Sequence, residues 1–264
     1  MRSSKLLGPL VAAAMIGGVS LQPAAAVPRT TTVRYFVTAE AHKYWHAFTH
    51  CPSGMLATGG GGGGGSSEVR LVSTQAIDGG TGWDVTIANP TDHSVVFSVY
   101  AICYSGLTNY QVRTETAAAA PNDVSNGWSD CTLGGKVLGG GVWADTYNVS
   151  LREMSASQPR NAYFGQLRNW DSVPRTMTIQ TICANGITPD AFVTDLYEDV
   201  APGQNGISEA TCPPNRTIIS GGPLGSSTVM SIPDPQPDVT KWMISVRNET
   251  SSTERFAATV LCGI

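Results

Sequence analysis

The sequence predicts an all-β protein made of three pseudo-repeats, each of about four short strands. Three observations carry this expectation. First, the six cysteines (Cys51, Cys103, Cys131, Cys183, Cys212, Cys262) fall in pairs separated by 52, 52 and 50 residues, and successive first cysteines are 80 and 81 residues apart. Second, other residues keep the same register. Each first cysteine is followed by glycines (Gly59-Gly60, Gly139-Gly140-Gly141, Gly221-Gly222), then an aromatic residue (Trp83, Tyr163, Trp242), then six residues later an asparagine (Asn89, Asn169, Asn248). Matched spacing in three copies marks an internal repeat. Third, only 14% of residues are charged, and Gly, Ser, Thr, Asn and Val are abundant. That composition suits short strands and turns better than amphipathic helices.

The chain begins with a different kind of segment. Arg2 and Lys5 precede an apolar run from Leu6 to Val19, and Ala24-Ala25-Ala26 supplies small residues before Val27. This is the pattern of a secretory signal peptide over residues 1–26, cleaved after Ala26. The apolar run is short for a bilayer span, and no later stretch predicts one, so the expected location is extracellular. Loss of Arg2 and Lys5 moves the formal charge from −4 to −6. A net acidic chain with three remaining lysines (Lys43, Lys136, Lys241) lacks the basic face that nucleic-acid binding needs.

The organisation that follows is a lead-in over 27–50, repeat 1 over 51–103, a connection over 104–130, repeat 2 over 131–183, a connection over 184–211, and repeat 3 over 212–264. Thr31–Thr38 in the lead-in has the composition for one further strand. Within each repeat, the first strand runs into the glycines (Met55-Leu56-Ala57 in repeat 1). A second covers Val69–Thr74, Val149–Met154 and Ser227–Ile232. The third carries the aromatic and alternates (Trp83-Asp84-Val85-Thr86-Ile87), and the fourth ends at the second cysteine. Asn-Pro at 89–90 and Asn-Glu-Thr at 248–250 are turn chemistry, which predicts a hairpin between the third and fourth strands. The two connections read as surface loops.

In an oxidising compartment six cysteines favour disulfides. Fifteen connectivities are available, and symmetry favours pairing within each repeat: Cys51–Cys103, Cys131–Cys183 and Cys212–Cys262. Closing a loop of that size contributes about 4 kcal/mol in the chain-entropy model. One four-stranded unit buries little apolar surface alone. A β-prism-like arrangement, three sheets about a pseudo-threefold axis with a shared core, therefore stands ahead of separate beads and of a β-trefoil.

The segments Cys51 to Gly60, Gly82-Trp83-Asp84-Val85-Thr86-Ile87-Ala88-Asn89-Pro90 and Val99-Tyr100-Ala101-Ile102-Cys103 resemble a repeat common in secreted actinobacterial proteins. The resemblance covers roughly residues 51–262 and implies export without implying an activity. Repeat 2 departs from it with Tyr163 in place of tryptophan and Thr132-Leu133 after the cysteine. The three-copy layout is also similar in outline to the vitelline membrane outer layer proteins, which implies a β-prism and nothing about function.

Few residues suggest chemistry. His42, His46 and His50 recur every four residues. On a helix they would stack on one face within reach of a metal. On a strand, at about 3.3 Å per residue, His42 and His46 stand about 13 Å apart, too far for one ion. Gly59 to Gly65 is a run of seven glycines, but Ser66-Ser67-Glu68 does not complete a phosphate loop, and the run reads as an extended turn. There is no G-x-S-x-G elbow, and His93 lies beside Asp92 in a turn. No cofactor is expected. Trp83, Tyr163 and Trp242 are bound to the repeat and read as packing residues. Trp128, Trp143, Trp170 and Trp45 lie outside the pattern, and the first three are the candidates for ligand contact.

The sequence thus points away from catalysis. The leading reading is an extracellular module for a carbohydrate or cell-envelope polymer, with up to three similar sites acting together. A structural or protective envelope protein without a small ligand is the second. A secreted inhibitor or hydrolase, with a secreted protein or polymer as partner, is the third. Peptide mapping without reduction is expected to recover the three intra-repeat bridges; a Cys103–Cys131 peptide would break the proposed unit.

Overall fold

A computed structural model describes residues 30–64, 69–225, 229–231, 241–248 and 250–264. The expected signal peptide, Gly65 to Glu68 and half of Ser227–Ile232 lie outside the described residues. Strands dominate, in several sheets, none closed, and there is no α-helix among the described residues.

The strands of residues 30–105 are β1 (Thr30–Ala39), β2 (Lys43–His50), β3 (Met55–Gly64), β4 (Arg70–Ile77), β5 (Gly82–Asn89) and β6 (Val95–Ser105). They pair in the orders β1-β6-β3 and β2-β5-β4, all antiparallel. Residues 108–185 supply β7 (Thr108–Ala119), β8 (Val124–Asp130), β9 (Lys136–Ala144), β10 (Val149–Ser157), β11 (Ala162–Asn169) and β12 (Arg175–Asn185). These pair as β7-β12-β9 and β8-β11-β10. Residues 189–263 supply β13 (Pro189–Thr194), β14 (Glu198–Val200), β15 (Asn205–Thr211), β16 (Thr217–Gly225), β17 (Val229–Ser231), β18 (Lys241–Arg247) and β19 (Glu254–Gly263). Here β13 and β14 both pair β19, β16 lies on its other side, and the second sheet is β15-β18-β17.

Three expectations are corrected by this arrangement. The two connections are not surface loops: they form β7-β8 and β13-β15, the first strands of their stretches, as the lead-in forms β1, over the strand expected at Thr31–Thr38, and β2. Each stretch therefore has six strand positions rather than four. The missed strands are polar and partly exposed because they lie at sheet edges, so they lack a continuous apolar run. The expected hairpin is also absent. β5 and β6 belong to different sheets, as do β11 and β12, and β18 and β19. The paired neighbours are instead β4 with β5 and β10 with β11. Finally, the glycine run is strand rather than turn through Gly64.

The repeat asparagine explains the first two corrections together. Asn89 Nδ2 donates to Ala39 O (3.1 Å), Glu40 O (3.0 Å) and His93 O (3.0 Å), while its Oδ1 accepts from Thr91 N (3.1 Å). Asn169 does the same with Ala119 O, Val173 O and Asp171 N, and Asn248 with Val200 O, Ser252 O and Thr250 N. One buried side chain closes its own turn and also pins the end of the stretch's first strand. The turn is thus a corner where the chain passes from one sheet to the other.

Glycine in the first sheet makes room for the repeat aromatic from the second. A Cβ on Gly60 would overlap the Trp83 ring, one on Gly140 the Tyr163 ring, and one on Gly221 the Trp242 ring. All three rings are buried. One residue earlier, β3, β9 and β16 meet one another. Thr58 Oγ1 donates to Ile219 O (2.6 Å), Ser220 Oγ donates to Leu138 O (2.6 Å), and a Cβ on Gly139 would run into the Thr58 carbonyl oxygen. Thr58, Leu138 and Ile219 are the extra residues of bulges against β6, β12 and β19. A bulge re-aims the strand locally, which turns these carbonyls toward the neighbouring stretch. Strand β4 also meets β9 edge to edge at Thr74 and Val142, and Gln180 brackets Ala76 through its N–H (2.6 Å) and carbonyl (3.1 Å).

The disulfides are Cys51–Cys103, Cys131–Cys183 and Cys212–Cys262. Each joins the segment after the second strand to the last strand of the stretch, and so bridges the two sheets. Gly139→Ala should destabilise the protein by about 3 kcal/mol, since the backbone it meets cannot rotate away; Leu133→Ala, on an exposed side chain, should cost less than about 0.5 kcal/mol. Chemical denaturation of both variants checks this.

Candidate functional site

Strand β2 is the edge of its sheet, hydrogen-bonded on one side to β5. Alternation along a strand places Tyr44, His46, Phe48 and His50 on one face and Trp45, Ala47 and Thr49 on the other. The burial pattern follows: the first set is exposed, whereas Ala47 and Thr49 are buried and Trp45 is half-buried. Phe48 retains 49% of its surface and Tyr44 45%. Their rings form a strip. The centroids of His46 and Phe48 are 6.2 Å apart, and those of Phe48 and His50 5.4 Å. At the other end Tyr147, from the segment between β9 and β10, lies 5.3 Å from Tyr44.

Carboxylates hold two rings of the strip in place. His46 Nε2 contacts Oδ2 of the buried Asp84, and His50 Nε2 lies 3.1 Å from Asp78 Oδ2. Burial pushes the Asp84 carboxyl above its ordinary range, with His46 and Gln75 drawing it partly back. Beside the strip, a cleft of about 500 Å³ opens between β1 and β2, lined by Tyr35, Val37, Trp45, Ala47 and Thr49 together with His46 and Phe48. Tyr35 is 57% exposed. A second cleft of about 250 Å³ adjoins Tyr44, with His42, Lys43 and Arg70 in its lining. This edge therefore offers apolar ring faces flanked by imidazole and hydroxyl hydrogen-bonding groups, in a groove large enough for a small ligand or one stretch of a polymer.

The histidine series is thus resolved as a strand rather than a helix. His42 sits in the turn before β2 in a left-handed conformation (φ 55°), and His46 and His50 each face a separate aspartate. No group of three or more His, Cys, Asp or Glu side chains gathers into a metal-sized cluster among the described residues. His93 Nδ1 lies 2.9 Å from Asp92 Oδ1 at the surface.

The three candidate tryptophans are dispersed and half-buried. Trp128 packs on Phe164 (centroids 4.8 Å) beneath the Arg160 guanidinium (4.6 Å). Trp170 donates to Ser150 Oγ (3.0 Å) and carries Arg168 at 4.2 Å. Trp143 lies in β9 opposite Thr178. None joins the β2 strip. Sequence reasoning passed over Tyr35, Tyr44, Phe48 and Tyr147; the signal available was the period of two from Tyr44 to His50.

The strip also occurs once, not three times. The positions of Tyr44, His46 and Phe48 correspond by register to Val124, Asn126 and Trp128 in β8, and to Asn205, Ile207 and Glu209 in β15. Three similar sites are therefore not available along these strands. No protein-family model matches the chain, and no curated protein is similar to it.

Because its carboxyl is held above the ordinary value near 4, Asp84 contributes stability that is complete below that pH and is lost as pH rises through its raised value. Asp84→Asn cannot ionise and escapes that loss. Calorimetric melts from pH 4 to 7 should show the variant gaining in Tm relative to the parent as pH rises; a constant difference would contradict the assignment.

Proposed function

We propose that this is a secreted, non-catalytic protein that binds an extracellular carbohydrate or cell-envelope polymer along strand β2. The observation that carries the reading is the row of exposed rings from Tyr147 to His50 above a cleft containing Tyr35 and Trp45. Flat rings with polar neighbours suit the mixed apolar and hydroxylated faces of a sugar chain, and an extended strand presents them in line. The same exposed aromatic surface would be a liability on a protein with no partner, which places the structural reading second.

The platform beneath, in this proposal, is a prism-like assembly of three related units about a pseudo-threefold axis. Supporting it are the recurring pairing orders, the three asparagine clamps, and the contacts that pass from Thr58 to Ile219, from Ser220 to Leu138, and from Gly139 back to Thr58. Export is supported by three disulfides, which suit an oxidising compartment, and by the sequence pattern of residues 1–26.

Retention of the protein on insoluble chitin, cellulose, peptidoglycan and starch tests the reading. Binding to at least one polymer is expected. Phe48→Ala and Trp45→Ala should each weaken it about three- to tenfold, with Phe48→Ala leaving the Tm nearly unchanged. No retention on any of the four polymers overturns the proposal.

A further inference from the structure

The small cleft at the Tyr44 end of the strip has a distinct chemistry. Tyr44, Ala88 and Arg70 are directly opposite one another across β2, β5 and β4, so they share one face of the sheet. The middle residue is the smallest of the three, and the space above it is the cleft of about 250 Å³. Arg70 forms one wall and Tyr44 the other, with His42 and Lys43 at the rim. The corresponding residue just before the asparagine is Arg168 in β11 and Arg247 in β18. In β11 that arginine lies over Trp170. Of these three positions, only the first has alanine.

Arg70 brings a guanidinium to the wall of this hollow. Among the described residues it makes no ion pair, and its Nε is buried without a hydrogen bond. The other charges nearby are engaged: Lys43 pairs with Glu40, and Asp92 with His93. Asn89 spends its side chain on backbone groups. A half-buried guanidinium facing an open hollow is suited to a planar or tetrahedral oxyanion, which it can bind through two N–H groups at once.

We infer that the hollow over Ala88 binds an acidic substituent of the polymer, a sugar carboxylate or a backbone phosphate, with Arg70 as its ligand and Tyr44 as the stacking wall. This rests on the polymer-binding reading and names the ligand class for the same edge. A neutral hydroxyl can accept one hydrogen bond from the Arg70 guanidinium, whereas an acidic group makes a charge-assisted contact through two N–H groups, which is the stronger of the two.

The probes are immobilised polygalacturonate, its methyl ester, a glycerol-phosphate teichoic acid and cellulose. The parent protein should be retained at least tenfold more strongly on polygalacturonate or on the teichoic acid than on the methyl ester and cellulose; which of the two acidic polymers is preferred separates carboxylate from phosphate. Arg70→Gln should lose that preference, and Arg70→Lys should keep part of it. Ala88→Arg is the decisive variant. It introduces the residue that β11 and β18 already carry at this position, so it should fold, and it adds a positive charge. Occupation of the hollow predicts at least tenfold weaker binding to the acidic polymer, whereas general attraction to a basic surface predicts stronger binding and would overturn the inference. Equal retention on acidic and neutral polymers, or unchanged binding by Arg70→Gln, also overturns it while leaving polymer binding intact. Retention on none of these four polymers overturns this inference, and the polymer reading falls with it only when chitin, peptidoglycan and starch also fail to retain the protein.

Discussion

Close approach of three glycine-bearing strands is the constraint on which the rest of this structure depends. Where β3, β9 and β16 meet, the equivalent positions are Gly59, Gly139 and Ser220, and a Cβ at Gly59 would already crowd the Ser220 side chain at 2.8 Å. Nothing larger fits without moving backbone, and protein interiors have little slack to absorb such a move. The carbonyls exposed by the bulges at Thr58, Leu138 and Ile219 would be orphaned in an apolar centre. Hydroxyls from Thr58 and Ser220 satisfy two of them, which matters because an unpaired buried carbonyl costs about as much as a lost hydrogen bond.

The next residue along each strand extends the same logic outward. Gly60, Gly140 and Gly221 give up their side chains so that Trp83, Tyr163 and Trp242 can lie flat between two sheets. Large aromatic burial then supplies the apolar area that small strands lack. Trp83 also donates to Thr74 Oγ1 (2.7 Å), so its one polar atom is not left bare. Asparagine clamps and disulfides act at the corners of this framework, one pinning a turn to the first strand, the other bridging sheets. The asparagines, and the first cysteine of each bridge, stand where the chain passes from one sheet to the other.

Such a framework leaves edge strands free to vary. Strands β2, β8 and β15 occupy the same place in the pairing order, yet they carry Tyr-His-Phe, Val-Asn-Trp and Asn-Ile-Glu at matching outward positions. The core keeps its spacing because it is sterically tied to neighbours on both sides, whereas an outward edge residue meets solvent. The proposed binding strip is therefore a feature of one edge strand, and its outward residues do not recur in β8 or β15.

By itself the sequence determined the all-β class, the pairing partners of the cysteines and the register linking glycine, aromatic, asparagine and cysteine. These are local or periodic signals, and the steric and hydrogen-bonding demands behind them fall on the same residue types in every copy. Only the tertiary structure decided which strands share a sheet. The corner at Asn89 reads as a hairpin because the residues of a tight turn and of a sheet-to-sheet crossing are the same; the difference lies in Ala39 and Glu40, about fifty residues away, whose carbonyls take the Asn89 side chain. It likewise decided that Thr108–Ala119 and Asn205–Thr211 are strands, since edge strands draw their order from a partner already in place more than from their own apolar content. The grouping of Tyr147 with Tyr44, and of Tyr44 with Arg70 across Ala88, is set by the folding of separate strands onto one face, and no spacing along the chain encodes it.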